Sequence, residues 1–379
     1  MEGEYLPSDV FDTGSATKGR SLVYSDPSVQ VAHLVFTTAA SAFIPIIILS
    51  NMLVIWAVVF YPSFFNSQHL FHLSLAVFHL LSGTLCLPLY ILMFFESVKA
   101  VSSNKYVCLL KHCSVNVAAG GSLYSLFLIS LDRYIAVLRP SIYAKWMTVA
   151  KSVVIITALW LLTWIRAFIP MMGWHNYDDS IENLIERCDV YKVFPPLYIQ
   201  YVVLLPGVIL LAASTVINVH IFFITKEQKA ICDSECDSWT PDQLRMFKLK
   251  ISSLQVSNIL LLLFLLCWMP YFVISYLKIC LVLDENTFEI AFTLAMMLCF
   301  ANAMLNAPMY AAMRNDYRAV FAMMVYTAPW RWPNQLHRLF IIRNVRFSIH
   351  YESELKNPEE CFQVDDIYLR PSIVGTLIF

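Results

Sequence analysis

The stretch Phe43-Ile44-Pro45-Ile46-Ile47-Ile48-Leu49-Ser50-Asn51-Met52-Leu53-Val54-Ile55-Trp56-Ala57-Val58-Val59-Phe60 contains no Asp, Glu, Lys or Arg. A surface helix of a soluble protein would show polar residues every 3.6 positions, and here that face is missing. The run lies inside a longer interval, Asp26 to Glu96, that is also free of these four residues. A bilayer core of about 30 Å needs about 20 apolar helical residues. The interval therefore holds two spans, divided at Tyr61-Pro62-Ser63-Phe64-Phe65-Asn66-Ser67-Gln68.

Four more charge-free intervals follow: Lys111 to Asp132, Lys192 to Lys226, Lys250 to Lys278 and Glu289 to Arg314. A further apolar run, Ser152 to Trp174, is interrupted only by Arg166. Seven spans result, at 33–60, 67–95, 106–138, 150–172, 195–225, 247–279 and 288–312. The composition agrees. Apolar and aromatic residues make up 59% of the 379 residues and charged residues only 14%, against about 25% charged in soluble domains. This argues against a soluble globular enzyme, and the apolar content excludes disorder throughout. With 26 basic and 27 acidic residues the net charge is −1, which excludes bulk electrostatic binding to nucleic acid. Ten cysteines are too few for a disulfide scaffold.

The N-terminus, Met1-Glu2-Gly3-Glu4-Tyr5, lacks the basic and apolar regions of a cleaved signal peptide. The first span is expected to be an uncleaved anchor. The face carrying the 139–151 loop, the 226–250 loop and the C-terminal tail collects Arg139, Lys145, Lys151, Lys226, Lys229, Arg245, Lys248 and Lys250, and the basic residues of the tail. The opposite face has about half as many, which places the N-terminus outside and the C-terminus in the cytoplasm. Residues 1–31 are then an extracellular tail, 32–326 the membrane domain, and 327–379 a cytoplasmic tail.

The third span ends in Asp132-Arg133-Tyr134, with Pro140 following. An acid–base pair at the inner mouth of a span can open and free the arginine; alone, the pair reads equally as a solvated helix end. Cys108 lies 25 residues before Arg133, about 37 Å away along a helix, at the outer end of the same span. Cys188 lies in the long outer loop, and two cysteines on the oxidising face can form a disulfide. Cys113, about one turn deeper, is a competing partner.

In this context the chain resembles the rhodopsin-like, class A, G-protein-coupled receptors over about residues 33–321. The resemblance rests on Asn51, Leu75-Ala76, Asp132-Arg133-Tyr134, Trp160, Pro206, Phe264 with Cys267-Trp268-Met269-Pro270, and Asn306 with Tyr310. It implies an all-α membrane protein, a seven-transmembrane helix bundle, with Arg314–Phe321 forming a short amphipathic eighth helix on the inner surface. It implies a plasma-membrane receptor that binds an outer ligand and activates a heterotrimeric G protein. Asp132, Arg133, Tyr134, Trp268, Pro270, Asn306 and Tyr310 would form the switch. The bland reading of Trp268 is packing. Pro270, however, removes a backbone donor one turn away and makes a hinge. The outer disulfide is then Cys108–Cys188.

Several positions depart from the family. His79 replaces the second-span aspartate that helps to hold sodium, although Ser122, Asn302 and Asn306 still match other polar groups of that pocket. Histidine has no fixed negative charge for a hard cation. The seventh-span motif reads Asn306-Ala307-Pro308-Met309-Tyr310, its proline one residue late; Ser214 stands for a tyrosine and Lys250 for an acid. Lys250 cannot pair with Arg133, so only Asp132 is expected to restrain that arginine, and raised basal activity follows.

By position the family's ligand pocket maps to Val115, Asn116, Ala119, Trp268, Tyr271, Phe272, Ser275, Met296 and Phe300. Val115 stands where amine receptors have an aspartate, so a protonated amine finds no anchor. No lysine lies between Glu289 and Arg314, which excludes a retinal Schiff base. The pocket is apolar and aromatic and suits a nucleoside-like small molecule, a lipid or a small peptide. Val115, Leu249–Pro270 and Met172-Gly173-Trp174-His175-Asn176 look weakly like adenosine receptors and their lipid-binding relatives. Adenosine receptors, however, carry an asparagine at Ser275 and a histidine at Phe300. Arg166, inside a span, either snorkels to the outer interface or meets an anionic ligand group.

Enzymatic signals are weak, and no catalytic residue, cofactor or metal is expected. His69 and His72 lack the glutamate of His-Glu-x-x-His, and with His79 they form a helical stripe. The chain has nine glycines and no phosphate-cradling loop. Cys232 and Cys236 read as free thiols or palmitoylation sites. No Asn-x-Ser/Thr sequon is present. Trp330-Arg331-Trp332-Pro333 and the basic stretch Arg338–Arg346 suit an anionic inner leaflet or a solvated tail, and Leu377-Ile378-Phe379 is a weak carboxylate-capture signal. The rival readings are a seven-helix decoy or partner protein without signalling and, less supported, a transporter, whose internal repeats and mid-span charges are not evident.

Overall fold

The computed structural model describes residues 26–93, 104–181, 187–234, 241–280 and 283–332, together with 334 and 336. The side chains of 231–234, 241–250, 252 and 253 lie outside the described residues, and with them those of Cys232 and Lys250. Cys236, most of the N-terminal tail, Arg338–Arg346 and the last three residues also lie outside.

Among the described residues, seven helical segments are long and apolar enough to cross a membrane. They are built on α1 (Pro27–Phe60), α2 (Ser67–Leu81, the first part of a span that runs from Ser67 to Leu92), α3 (Lys105–Leu138), α4 (Val149–Phe168), α5 (Leu205–Ser234), α6 (Pro241–Ile279) and α7 (Glu285–Met313). α8 (Asn315–Tyr326) follows. α1 starts earlier than the charge pattern suggests, because the carboxylate of Asp26 caps the amides of Ser28 and Val29, and Pro27, having no N–H, needs no acceptor. α2 runs into a π-helical turn, Ser82–Cys86, and resumes as Leu87–Met93. A second π-helical segment, Tyr198–Leu204, leads into α5. α4 stops at Phe168, and Pro170–Met172 forms a separate turn.

Apolar side chains fill the interior of the bundle and also cover its outer surface. Val153, Val154, Leu161, Leu162 and Ile165 of α4 and Val208, Ile209, Val216, Phe222 and Phe223 of α5 are exposed, as a lipid-facing surface requires. The polar groups turn inward and tie neighbouring helices. Asn51 Nδ2 donates to the Ala303 carbonyl at 2.9 Å, joining α1 to α7. Ser74 joins Ser125 of α3 at 2.9 Å and accepts from Trp160 Nε1 of α4 at 2.9 Å. Asn218 of α5 donates to Ser130 of α3 at 2.6 Å and accepts from Ser257 of α6 at 3.2 Å. Such interhelical bonds average about 0.6 kcal/mol each in a membrane. They specify which helix faces which, where apolar packing alone does not.

Gly121 lets α2 and α3 approach closely: a Cβ there would lie 2.2 Å from the Phe78 ring. α8 buries Tyr317, Val320, Phe321, Met323 and Met324 and exposes Val325 and Tyr326. Arg318 donates to the Ala311 and Ala312 carbonyls at 3.0 Å each, satisfying the open end of α7.

Candidate functional site

α3 runs through the bundle and carries polar positions at three levels. At its outer end Cys108 is bonded to Cys188, with Cα atoms 5.7 Å apart. Cys113 is a buried free thiol. The bridge pins the loop after α4 onto α3, and His112 Nε2 meets the Cys188 carbonyl at 3.0 Å. The loop then forms one turn, Val190–Val193, capped by Asp189. Burial pushes the Asp189 carboxyl up, while the Tyr191 amide and Lys278, Lys192 and Lys111 act against that. The turn places Tyr191 against Phe288 and Phe292 of α7, with ring centroids 5.5 and 6.3 Å apart.

Beneath this loop lies a divided cavity. Its upper part is lined by Tyr90, Tyr191, Tyr271, Phe292 and Met296, among others. A deeper branch between α3, α5 and α6 has a volume of about 40 Å³, room for a water or two. Of the residues that the sequence places in the pocket, Val115, Asn116, Ala119, Trp268, Tyr271, Phe272, Met296 and Phe300 all line these spaces. Ser275 is buried but lines none of them. The interior is closely packed here, with spaces of about 10, 20 and 40 Å³. Tyr90, Tyr191 and Phe292 were not legible as lining residues, because a loop and two helix ends bring them together.

The outer cations are mostly balanced. Lys278 pairs with Glu285 at 2.6 Å and lies over the Phe288 ring. Lys111 sits over Tyr90, with Asp189 and Glu289 as its charged neighbours. Arg166 differs. It does not snorkel outward: its guanidinium donates to the Val202 carbonyl at 2.9 Å and the Asn116 carbonyl at 3.3 Å. Tyr198 donates back to the Arg166 carbonyl at 3.1 Å. The pair of links ties α4 to the π-helical entry of α5.

At the floor Trp268 stacks on Phe264, with centroids 5.4 Å apart and planes at 15°. Pro270 lies inside a continuous α6. Below, His79 Nδ1 meets Asn306 Nδ2 at 2.9 Å. His79, Ser122 and Asn302 line one small cavity with Trp268. The other two histidines of the stripe also have partners: His69 meets the Tyr317 hydroxyl at 2.7 Å and His72 the Gln68 carbonyl at 2.7 Å.

At the inner mouth Arg133 pairs with Asp132. A third group, absent from the sequence reading, joins them. Tyr143, in the short helix Pro140–Trp146, donates to Asp132 at 3.0 Å and accepts from Arg133 at 3.1 Å. Asp132 is therefore not the sole restraint. Burial, then the Asp132 carboxylate, pushes the Tyr143 phenol up to about 12, so it keeps its proton near neutrality. Tyr134 meets His220 of α5 at 3.1 Å. Tyr310 stacks on Tyr317 of α8 and meets His72 edge-on.

Similarity to known proteins agrees with this layout. Residues 50–310 match the family described as the 7 transmembrane receptors of the rhodopsin family. The chain is 28% identical over 285 residues to the adenosine receptor A3 of Ovis aries, covering 73% of this chain and 85% of that receptor. It is 26% identical over 303 residues to the adenosine receptor A2b of Gallus gallus, covering 73% and 84%. It is 28% identical over 311 residues to the histamine H2 receptor of Cavia porcellus, covering 78% and 81%. A family match over most of the chain, on a bundle of seven membrane-spanning helices, means that the chain belongs to the rhodopsin family of seven-transmembrane receptors.

Proposed function

We propose that this receptor lies in the plasma membrane with its N-terminus outside. Its ligand sits among α3, α5, α6 and α7, and a heterotrimeric G protein engages the Arg133 end. One observation carries the reading: α6 reaches both levels. Trp268 lies in the floor of the outer cavity, while Leu254 of the same helix packs with Tyr134 and Val137 of α3 beside Arg133. Displacing Trp268 moves a helix whose inner half holds the Arg133 level closed, and Pro270, two residues beyond Trp268, leaves the Leu266 carbonyl without its helical donor and so weakens α6 at this level.

The ligand proposed is a small molecule, lipid or small peptide with a largely apolar body. Similarity to adenosine and histamine receptors extends over the scaffold, and the pocket residues argue against both ligands. Val115 offers an amine no carboxylate, and Ser275 and Phe300 replace the two polar groups that adenosine receptors carry there. The protein has no enzymatic role in this reading.

The test is G-protein nucleotide exchange in membranes holding the full chain, with Arg133→Ala as control. Exchange above background that Arg133→Ala abolishes supports coupling. Equal exchange in wild type and variant, at matched surface amounts, leaves a ligand-binding partner protein without signalling.

A further inference from the structure

We infer that the space beside Arg166, between α3, α4, α5 and α6, takes the oxyanion head of an amphipathic ligand, a carboxylate or phosphate on an apolar body. The inference rests on the receptor reading above and narrows its ligand class. Arg166 sits inside a membrane span, where a cation is costly and calls for a partner. Among the described residues it has no carboxylate partner. Its two bonds go to backbone carbonyls, and its Nε is buried without an acceptor. Arg166 also lines the deep cavity, whose other walls include Leu123, Val203, Phe264, Trp268 and Phe272. A cationic group with an unmet donor in the wall of an apolar, aromatic cavity is complementary to the charged head of an amphiphile with one negative charge.

The backbone is shaped for the guanidinium. A Cβ on Gly120 would lie 2.1 Å from Arg166 Nη2, so any other residue would push the side chain out of the wall. Ile165 and Tyr201, next to the site on α4 and at the start of the fifth span, are exposed on the outer surface of the bundle. Arg166 is itself only half-buried, so the site borders that lipid-facing surface.

The test uses the purified full chain in nanodiscs, with empty nanodiscs as background. Binding of oleate and of 1-oleoyl lysophosphatidate is compared with that of oleyl alcohol, which keeps the chain and removes the charge. Saturable binding of at least one anion is expected, with the alcohol at least tenfold weaker, about 1.4 kcal/mol. The two anions separate a carboxylate site from a phosphate site. Arg166→Gln should lower the anion to the alcohol's level, and Arg166→Lys should fall between. Equal binding of alcohol and anions overturns the inference. So does anion binding untouched by Arg166→Gln, or no saturable binding of either anion. Arg166 also ties α4 to α5. If Arg166→Gln fails to fold, the wild-type comparison decides, with Gly120→Ala as a second variant expected to weaken anion binding. G-protein exchange is read in the same nanodiscs. Anion binding without exchange counts against the receptor reading alone. Exchange driven by an uncharged ligand and unchanged in Arg166→Gln counts against the anion site alone.

Discussion

His79 Nδ1 accepts from the side-chain amide of Asn306 at 2.9 Å across the α2–α7 contact. Because the amide nitrogen donates, the ring proton belongs on Nε2, which is buried without a partner. The family resemblance implies a carboxylate at this position that helps to hold sodium. A ring that accepts from one side and presents a proton on the other offers no negative oxygen to a hard cation. Agonist affinity in sodium chloride should therefore match that in choline chloride at equal ionic strength, within about twofold. A clear loss of affinity in sodium alone would remove this account of the site.

Tyr143 bridges both members of the Asp132–Arg133 pair. Hydrogen bonds to charged groups contribute about 1.5–3 kcal/mol, but Asp132 and Arg133 still hold each other when the hydroxyl is gone. Tyr143→Phe should weaken the closed state by about 1 kcal/mol, raising basal G-protein exchange about fivefold. The measurement is agonist-free exchange at matched surface expression. An unchanged basal rate would mean that the hydroxyl restrains nothing.

The sequence made the membrane class, the number of spans and the axial order of the motif residues legible, because each follows from charge exclusion and short-range spacing. It did not reveal Tyr143, since a tyrosine in an inner loop has no periodic signature; only the short helix after Pro140 turns it toward Arg133. It left Arg166 open, because a residue one turn from a helix end can point either way. The π-helical segment 198–204, whose Val202 carbonyl accepts from the guanidinium, decides the direction. Trp332 is a third case. In a basic, aromatic tail it suits a lipid surface, yet it donates to the Met324 and Thr327 carbonyls at the end of α8 and packs on Trp56, with ring centroids 4.8 Å apart. Helix-end carbonyls need partners, but sequence alone does not say which distant donor returns to them.

The Cys108–Cys188 bridge closes a loop with a sequence separation of 80. It also holds Tyr191 over the outer cavity. Removing a native disulfide typically costs about 2–5 kcal/mol. Cys108→Ser and Cys188→Ser should each lower the melting temperature in detergent and reduce ligand binding, and the double variant should be no worse than either single one. Cys113→Ser removes a buried thiol outside the bridge and should bind ligand like wild type. If Cys113→Ser behaved like the other two, the pairing would be wrong.

Gly121 and Phe78 set how closely α2 and α3 pack. A Cβ at 121 would fall 2.2 Å from the Phe78 ring, and that ring is held edge-on by Trp160, with centroids 5.3 Å apart. The ring cannot retreat without disturbing the indole that donates to Ser74. Overpacking of this kind costs about 1–3 kcal/mol, so Gly121→Ala should lower the melting temperature by several degrees. Phe78→Leu alone removes ring packing and should also destabilise. Residues in direct contact couple rather than add. The double variant Gly121→Ala/Phe78→Leu should therefore melt higher than the sum of the two losses, because the smaller side chain vacates the volume that the new methyl needs. Strict additivity in the thermal melts would show that the two positions do not meet, and that α2 and α3 are held apart at this level.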